Sequence, residues 1–325
     1  MIKFKRILVT GGLGFIGGNL IRKLLLESES YIFNIDKISS ISDSENIDQL
    51  LKSNPNLSER YKFIKTDLNN FETLENNIFD IKPDLILHLA AESHVDRSID
   101  DPSQFIKSNI IGTFNLIEVV RKLLKNKKIK NFRLIHISTD EVFGSLGQKG
   151  KFTENTPYAP NSPYSASKAS SDHLVRAWRH TYNLPFIITN CSNNFGPWQF
   201  PEKLIPLTIL KILRKENIPV YGNGLQVRDW LFVEDHIDAI LLVAEKGDIS
   251  NDYCIGGNSE KTNLEVIKNI CSIISSKQNH IENFANLISH VKDRPGHDIR
   301  YSINFKKIKE ELNWEPKYKF DEALE

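Results

Sequence analysis

Two acidic residues stand side by side at Asp140-Glu141, and Tyr164 and Lys168 follow at a spacing of four. Adjacent carboxylates near one substrate disfavour double ionisation, which helps keep one as an acid and the other as a base. Residues four apart on a helix share a face, so the Lys168 ammonium can sit beside the Tyr164 phenol and stabilise its phenolate. A phenol with an ordinary pKa of about 10 then becomes a usable base at neutral pH. Far upstream lies Thr10-Gly11-Gly12-Leu13-Gly14-Phe15-Ile16-Gly17, with glycines at 11, 14 and 17. Glycines permit a tight turn and let backbone N–H groups approach a pyrophosphate at a helix N-terminus. Asp36 follows nineteen residues beyond Gly17. A carboxylate there accepts hydrogen bonds from an adenosine ribose and repels a 2′-phosphate, which favours NAD over NADP. Asp67 has two readings, a contact to adenine or a cap for the helix that starts near Asn69-Asn70-Phe71.

These residues need elements to hold them. Short β-branched apolar runs recur at Ile7 to Val9, Tyr31 to Ile35, Tyr61 to Ile64, Leu85 to Leu89, Leu134 to Ile137 and Phe186 to Thr189, and helix-length segments separate most of them. That alternation predicts an α/β fold, a doubly wound, Rossmann-like parallel sheet with helices on both faces. The first run feeds the glycine turn and a helix over Asn19 to Glu27, and the fifth delivers Asp140 and Glu141 at its C-terminal end, where open parallel sheets bind ligands. Long helices are expected over Pro102 to Lys125 and Ser162 to Tyr182, and paired long helices of this kind can form a homodimer face. After Leu184 the pattern loosens into a smaller α/β lobe with helices near Ile205 to Lys215 and Asn263 to Ser275. The division expected is 1–187 for the dinucleotide-binding domain and 188–325 for a substrate lobe interleaved with it. The polar stretch Ile38 to Ser58 reads as an exposed connection, and Phe320 to Glu325 as the first turn of an incomplete helix.

A chain of 325 residues with 40% hydrophobic content has enough apolar surface for one large or two medium cores. Lys and Arg number 42 against 41 Asp and Glu, so no net field draws it to nucleic acid or an anionic membrane. Three scattered cysteines make neither a disulfide framework nor a Cys-x-x-Cys site, which points to a reducing cytoplasm. No apolar run approaches the roughly 20 residues of a membrane span. The nine histidines form no ligand-spaced cluster, so no metal is expected, and His88 and His136 on apolar strands read as packed core residues. A second lobe carrying Lys203, Arg228, Arg294 and His297 offers donors for an anionic ligand, and arginine forks suit a diphosphate.

Further segments carry a resemblance. They are His88-Leu89-Ala90-Ala91-Glu92-Ser93-His94-Val95-Asp96-Arg97-Ser98, Ser138-Thr139-Asp140-Glu141-Val142, Pro163 to His173, Asn190-Cys191-Ser192-Asn193-Asn194, Pro201 to Pro206, Arg228-Asp229-Trp230 and Asp293 to Asp298. Together they resemble the extended short-chain dehydrogenases, nucleotide-sugar 4,6-dehydratase branch, over nearly the whole chain. The resemblance implies bound NAD, dTDP-glucose as substrate and a 4-keto-6-deoxy sugar as product. It implies that Tyr164, assisted by Thr139, takes the C4 hydroxyl proton, that Glu141 removes the C5 proton, and that Asp140 protonates the leaving C6 hydroxyl. It places Phe15, Ile16, Leu68 and Ala90 with the glycines around the cofactor, and carries Lys37 with Asp36. Ser93 and His94 would touch the sugar, Tyr221 the base, and Asn193, Lys203, Leu204, Arg228, Asn263, Arg294 and His297 the nucleotide. Phe143 and Phe195 stand where the family commonly has tyrosines, which removes hydroxyls and keeps aromatic bulk. Two other readings compete: a UDP-sugar epimerase or decarboxylase, which needs no acid/base pair at C5 and C6, and a catalytically silent NAD-binding regulator, which needs neither pair.

Overall fold

The structure is a computed structural model that describes residues 2–39, 42–126, 129, 131–277 and 283–325. Each of the six apolar runs is a strand: β1 (Arg6–Thr10), β2 (Tyr31–Asp36), β3 (Tyr61–Lys65), β4 (Leu85–His88), β5 (Arg133–Thr139) and β6 (Phe186–Cys191). The second half adds β7 (Asn193–Phe195), β8 (Ile218–Tyr221), β9 (Val227–Phe232), β10 (Tyr253–Ile255), β11 (Glu260–Thr262) and β12 (Ile288–Val291). Seven of these form one sheet in the order β10-β6-β5-β4-β1-β2-β3, every neighbouring pair parallel. The winding reverses between β1 and β4, and a crevice opens there beyond the strand ends.

Helices cover both faces because the strands are apolar on both sides. One face packs the helices Phe15–Glu27 and Val233–Lys246 through Leu20, Ile21, Leu24, Ile237 and Ile240. The other packs Phe71–Ile81, Gly112–Asn126 and Pro163–Tyr182 through Leu74, Ile78, Leu116, Val120 and Val175. A separate core around Ile205, Ile218, Val220, Trp230, Ile267 and Phe320 holds the smaller lobe, with one three-stranded sheet (β11-β9-β7) and one two-stranded sheet (β12-β8). The 187/188 division falls inside β6, and β10 joins the large sheet from the C-terminal half. Phe143 stacks on Phe152 at 5.1 Å, and Phe195 is packed among Trp230, Phe232 and Phe320. Both rings serve as core.

Three local expectations are corrected. The 38–58 stretch, of which Ser40 and Ile41 lie outside the described residues, carries a helix over Glu45–Ser53 that buries Asn46, Ile47 and Leu50. Its apolar residues keep helical spacing among polar ones, so a short amphipathic helix hides in a polar composition. The helix expected over Pro102 to Lys125 begins at Ser103 and runs through a π-helical segment, Ile106–Ile111, before the regular helix Gly112–Asn126. The cap of helix Phe71–Ile81 is Asn70, whose side chain accepts from the Thr73 N–H, while Asp67 accepts from Asn69. A side chain one residue before a helix is better placed to reach its third N–H than one four residues before.

Candidate active site

The crevice continues between the lobes as a cavity of about 710 Å³. Its cofactor end is lined by Gly11, Gly14, Phe15, Ile16, Gly17 and Asp36, with Lys37, Asp67, Leu68 and Ala90 beside them. Thr139, Asp140, Glu141, Tyr164 and Lys168 lie in the middle. Ser93, His94, Asn193, Lys203, Leu204 and Tyr221 line the far end together with Arg228, Asn263, Arg294 and His297. Every residue expected to bind cofactor or substrate, or to take part in the chemistry, therefore borders one cavity.

The cofactor end fits a dinucleotide. Gly11 has φ +75°, and a Cβ there would lie 2.7 Å from the Ala90 backbone. A Cβ at Gly17 would lie 2.3 Å from the Gly11 carbonyl oxygen. Only glycines let the turn close this tightly against β4's continuation. The helix Phe15–Glu27 begins at Gly14 without a side-chain cap, so its first N–H groups face the cavity for an anion. The Asp36 carboxylate ends β2 and is oriented by the N–H groups of Leu13 (3.1 Å) and Ile38 (2.9 Å). Lys37 turns to Glu92 at 2.7 Å and Ser108 at 2.8 Å.

At the centre, β5 stops at Thr139, and the residues Asp140–Phe143 form a single tight turn. Thr139 Oγ1 accepts from the Glu141 N–H at 3.3 Å and donates to Asp140 Oδ1 at 3.2 Å. Burial pushes the Asp140 carboxyl well above the usual carboxylate range, and the charges of Glu141 and Asp229 act the same way. Its Oδ2 has no hydrogen-bond partner among the described residues. Burial also raises Glu141, but Arg294, Arg228 and Lys203 oppose it. Arg228 opposes the shift at Asp140 as well, while Arg294 and Lys203 act on Glu141, so both carboxyls are raised in partly different charge surroundings.

Helix Pro163–Tyr182 starts on a reciprocal Ser162/Ser165 capping box with proline at its first position and ends at Asn183 in the left-handed region. It carries Tyr164 and Lys168 into the cavity. Burial, Glu141, Cys191 and Asp140 hold the Tyr164 phenol well above its ordinary value, against a hydrogen bond with Thr139. The Lys168 ammonium donates to the Ile137 carbonyl at 2.8 Å. Burial lowers Lys168, and Asp172 opposes that shift.

At the far end the cations are already engaged. Arg294 meets Asp96 at 3.3 Å, Lys203 donates to the Ser93 carbonyl at 3.1 Å, and His297 meets Asp293 at 2.6 Å. Arg228 donates to the Asp298 carbonyl at 3.0 Å and lies 4.2 Å over the Tyr301 ring, so it does not pair with Asp229. Asn193 Oδ1 and Arg294 Nε are buried without partners among the described residues. His88 and His136 are buried among strands as expected, bonded to Thr10 (2.7 Å) and Asp172 (3.0 Å). Among the described residues no cluster of His, Cys, Asp and Glu could hold a metal ion.

Sequence reasoning did not single out Asp96, Glu202 and Tyr301. Asp96 also accepts from Tyr221 at 3.3 Å, Glu202 pairs with Arg97 at 2.6 Å, and Tyr301 donates to Asp298. Asp96 and Glu202 lie in segments that carry the family resemblance, and the opposite charges next to them, Arg97 and Lys203, were the available signal.

Residues 8–325 match the family model described as GDP-mannose 4,6 dehydratase. The dTDP-glucose 4,6-dehydratase of Haemophilus influenzae is 49% identical over 326 residues, covering 98% of this chain and 95% of that one. A dTDP-glucose 4,6-dehydratase of Bacillus anthracis, solved in complex with NAD, superposes with a TM-score of 0.86 at 44% identity, covering 98% of this chain and 94% of that one. One from Streptomyces venezuelae, solved with NAD and TYD bound, gives a TM-score of 0.88 at 38% identity with the same coverage. The family model, the relatives and the solved structures agree over nearly the whole length, and the chain belongs to the dTDP-glucose 4,6-dehydratase family.

Proposed function

We propose that this cavity converts dTDP-glucose to dTDP-4-keto-6-deoxyglucose with NAD bound throughout. The observation that carries the reading is the buried Asp140-Glu141 pair, whose two members meet different surroundings at the centre of the cavity. NAD held by the glycine turn and Asp36 would supply the acceptor for the C4 hydride and the donor for C6, and its cationic ring would favour a phenolate nearby. Tyr164 receives the C4 hydroxyl proton, with Thr139 orienting its phenol. The resulting ketone acidifies C5–H, and Glu141, faced by three cations, takes that proton. Asp140, kept protonated by burial, gives its proton to the C6 hydroxyl, which leaves as water. Glu141 then returns its proton to C5. No net redox change results, so the chemistry belongs to the lyases. The Arg228, Arg294 and Lys203 cations support binding of the nucleotide diphosphate.

Incubation with a panel of nucleotide sugars and identification of the products tests this reading. dTDP-glucose should yield a 4-keto-6-deoxy sugar that develops colour in alkali; turnover confined to epimerised UDP-sugars would overturn it. The product would feed a deoxysugar route such as that to rhamnose.

A homodimer through the helices Gly112–Asn126 and Pro163–Tyr182 is part of the same proposal. Phe114 and Tyr182 on these helices are exposed, as is Ile111 just before the first, and Phe114 packs edge-on to Trp178 at 5.8 Å. Sedimentation should show a dimer that Phe114→Glu dissociates. No described helix is long and apolar enough to cross a membrane. Three buried free cysteines support a cytoplasmic setting.

A further inference from the structure

Tyr164, Lys168, Asp172 and Arg176 recur every four residues on helix Pro163–Tyr182 and so form one stripe. The stripe runs from the cavity into the core. Asp172 is 0% exposed and lines no part of the cavity. Its carboxylate accepts from Ser138 Oγ at 2.7 Å, Tyr158 OH at 2.8 Å and His136 Nε2 at 3.0 Å. Three donors converge on it, so it has acceptor work for an ionised group and no need of its own proton. Burial opposes ionisation, but His136, Lys168 and Ser138 together hold Asp172 below the usual carboxylate range.

A fully buried anion requires a cation near it. His136 lies against the carboxylate at 3.0 Å, but burial and the Lys168 charge lower its ring against the pull of Asp172, which makes it a hydrogen-bond donor more than a cation. Arg176 reaches Asp172 only through Tyr158, donating to that phenol at 2.7 Å and to Asp252 at 2.9 Å. Lys168 remains. The titratable groups that act on it or feel it are Asp172 from its own helix, His88 and His136 from β4 and β5, and Cys191 from β6, with Tyr164 one turn away on the same helix. Burial pushes the Cys191 thiol up to about 12, so it carries no charge at neutral pH.

We propose that Asp172 is a positioning residue for the oxidation step, the buried counter-ion that keeps Lys168 an ammonium, held against the end of β5 and aimed at the Tyr164 side of the cavity. It touches neither substrate nor cofactor and acts through Lys168. The proposal rests on the reading of Tyr164 and Lys168 as the hydride-transfer pair. The Tyr158, Ser138 and His136 donors hold the anion still, and the Tyr158-Arg176-Asp252 chain ties it to the surface.

The test is the pH dependence of kcat for the NAD-loaded enzyme, read beside KM and the urea midpoint. Asp172→Asn keeps the shape and removes the charge. Lys168 should then lose its proton at lower pH, moving the alkaline limb down by about one unit or more, equivalent to roughly tenfold in its proton affinity. KM for dTDP-glucose should stay unchanged, and Asp172→Glu should restore part of the limb. An alkaline limb that stays in place in folded Asp172→Asn overturns the proposal. Lys168→Met separates the two readings: if it oxidises C4 at the normal rate, the pair reading fails, whatever Asp172 does. Should Asp172→Asn not fold, Tyr158→Phe removes one donor and the link to Arg176 while sparing Lys168. Asp172 would then protonate more easily, so the acid limb should move up with the alkaline limb unmoved; no movement of the acid limb overturns the proposal.

Discussion

The two ends of the cavity are built on opposite principles. The cofactor end is backbone: glycines at 11, 14 and 17, an uncapped helix start and one carboxylate at the tip of β2. The substrate end is side chains held by other side chains, Arg294 by Asp96, Arg97 by Glu202 and His297 by Asp293. Backbone surfaces tolerate almost no change because the main chain has nowhere to move. Side-chain lattices can exchange partners, so the substrate end can trade Asp96 for a phosphate without refolding. The Asp140-Glu141 carboxylates lie where the two principles meet.

The largest effect should come at that junction. Asp140→Asn should lower kcat about a thousandfold by removing the acid, while the C4-oxidised sugar accumulates. Unchanged turnover would take Asp140 out of the acid role. Glu141→Gln should still oxidise C4 but lose solvent deuterium exchange at C5; normal exchange would place the base elsewhere. The same Asp140→Asn change should also stabilise the fold. A carboxyl whose folded pKa is raised favours the folded state below its unfolded pKa, and that advantage is lost as pH rises through the raised value. The urea midpoint of the variant should therefore exceed that of the parent at pH 8, with the gap closing in acid.

Gly11→Ala tests the backbone end. A Cβ forced into left-handed φ costs about 1–3 kcal/mol before its 2.7 Å clash with Ala90 is counted. The purified protein should contain little NAD and melt lower; full NAD content would break the contrast between the ends. Arg294→Leu probes the side-chain end. It should raise KM for dTDP-glucose by roughly tenfold or more, the worth of a lost charge-assisted hydrogen bond, with NAD content intact. A kcat loss without a KM change would move Arg294 out of the binding lattice. Smallest should be Asn70→Ala, which removes a helix cap beside the cofactor end and should cost about 1 kcal/mol in denaturant unfolding without changing KM.

The contrast also governs what could be read in advance. The glycine turn, Asp36, Asp140-Glu141 and Tyr164/Lys168 all depend on short spacings within one element or one turn, and each was visible as a string of residues. Asp96 and Glu202 owe their roles to partners 198 and 105 residues away, Arg294 and Arg97. Helix Glu45–Ser53 was missed because polar composition masked a stripe of three apolar residues, Ile47, Leu50 and Leu51, that packs on the main core. Strand β10 was missed because three residues carry almost no periodicity, and its place beside β6 follows from long-range pairing.

By itself the sequence determined the alternation of strands and helices, the dinucleotide turn and the types of acid, base and cation available. These follow from local sterics and periodicity, which a short window contains. Tertiary structure alone decided which charges the two carboxylates of the Asp140-Glu141 pair face. That depends on burial and on Arg228, Arg294 and Lys203 arriving from the second lobe. It also decided that Asp172, one turn beyond Lys168, faces the core and not water. Charges act through space and through the dielectric around them, and neither is written in spacing along the chain.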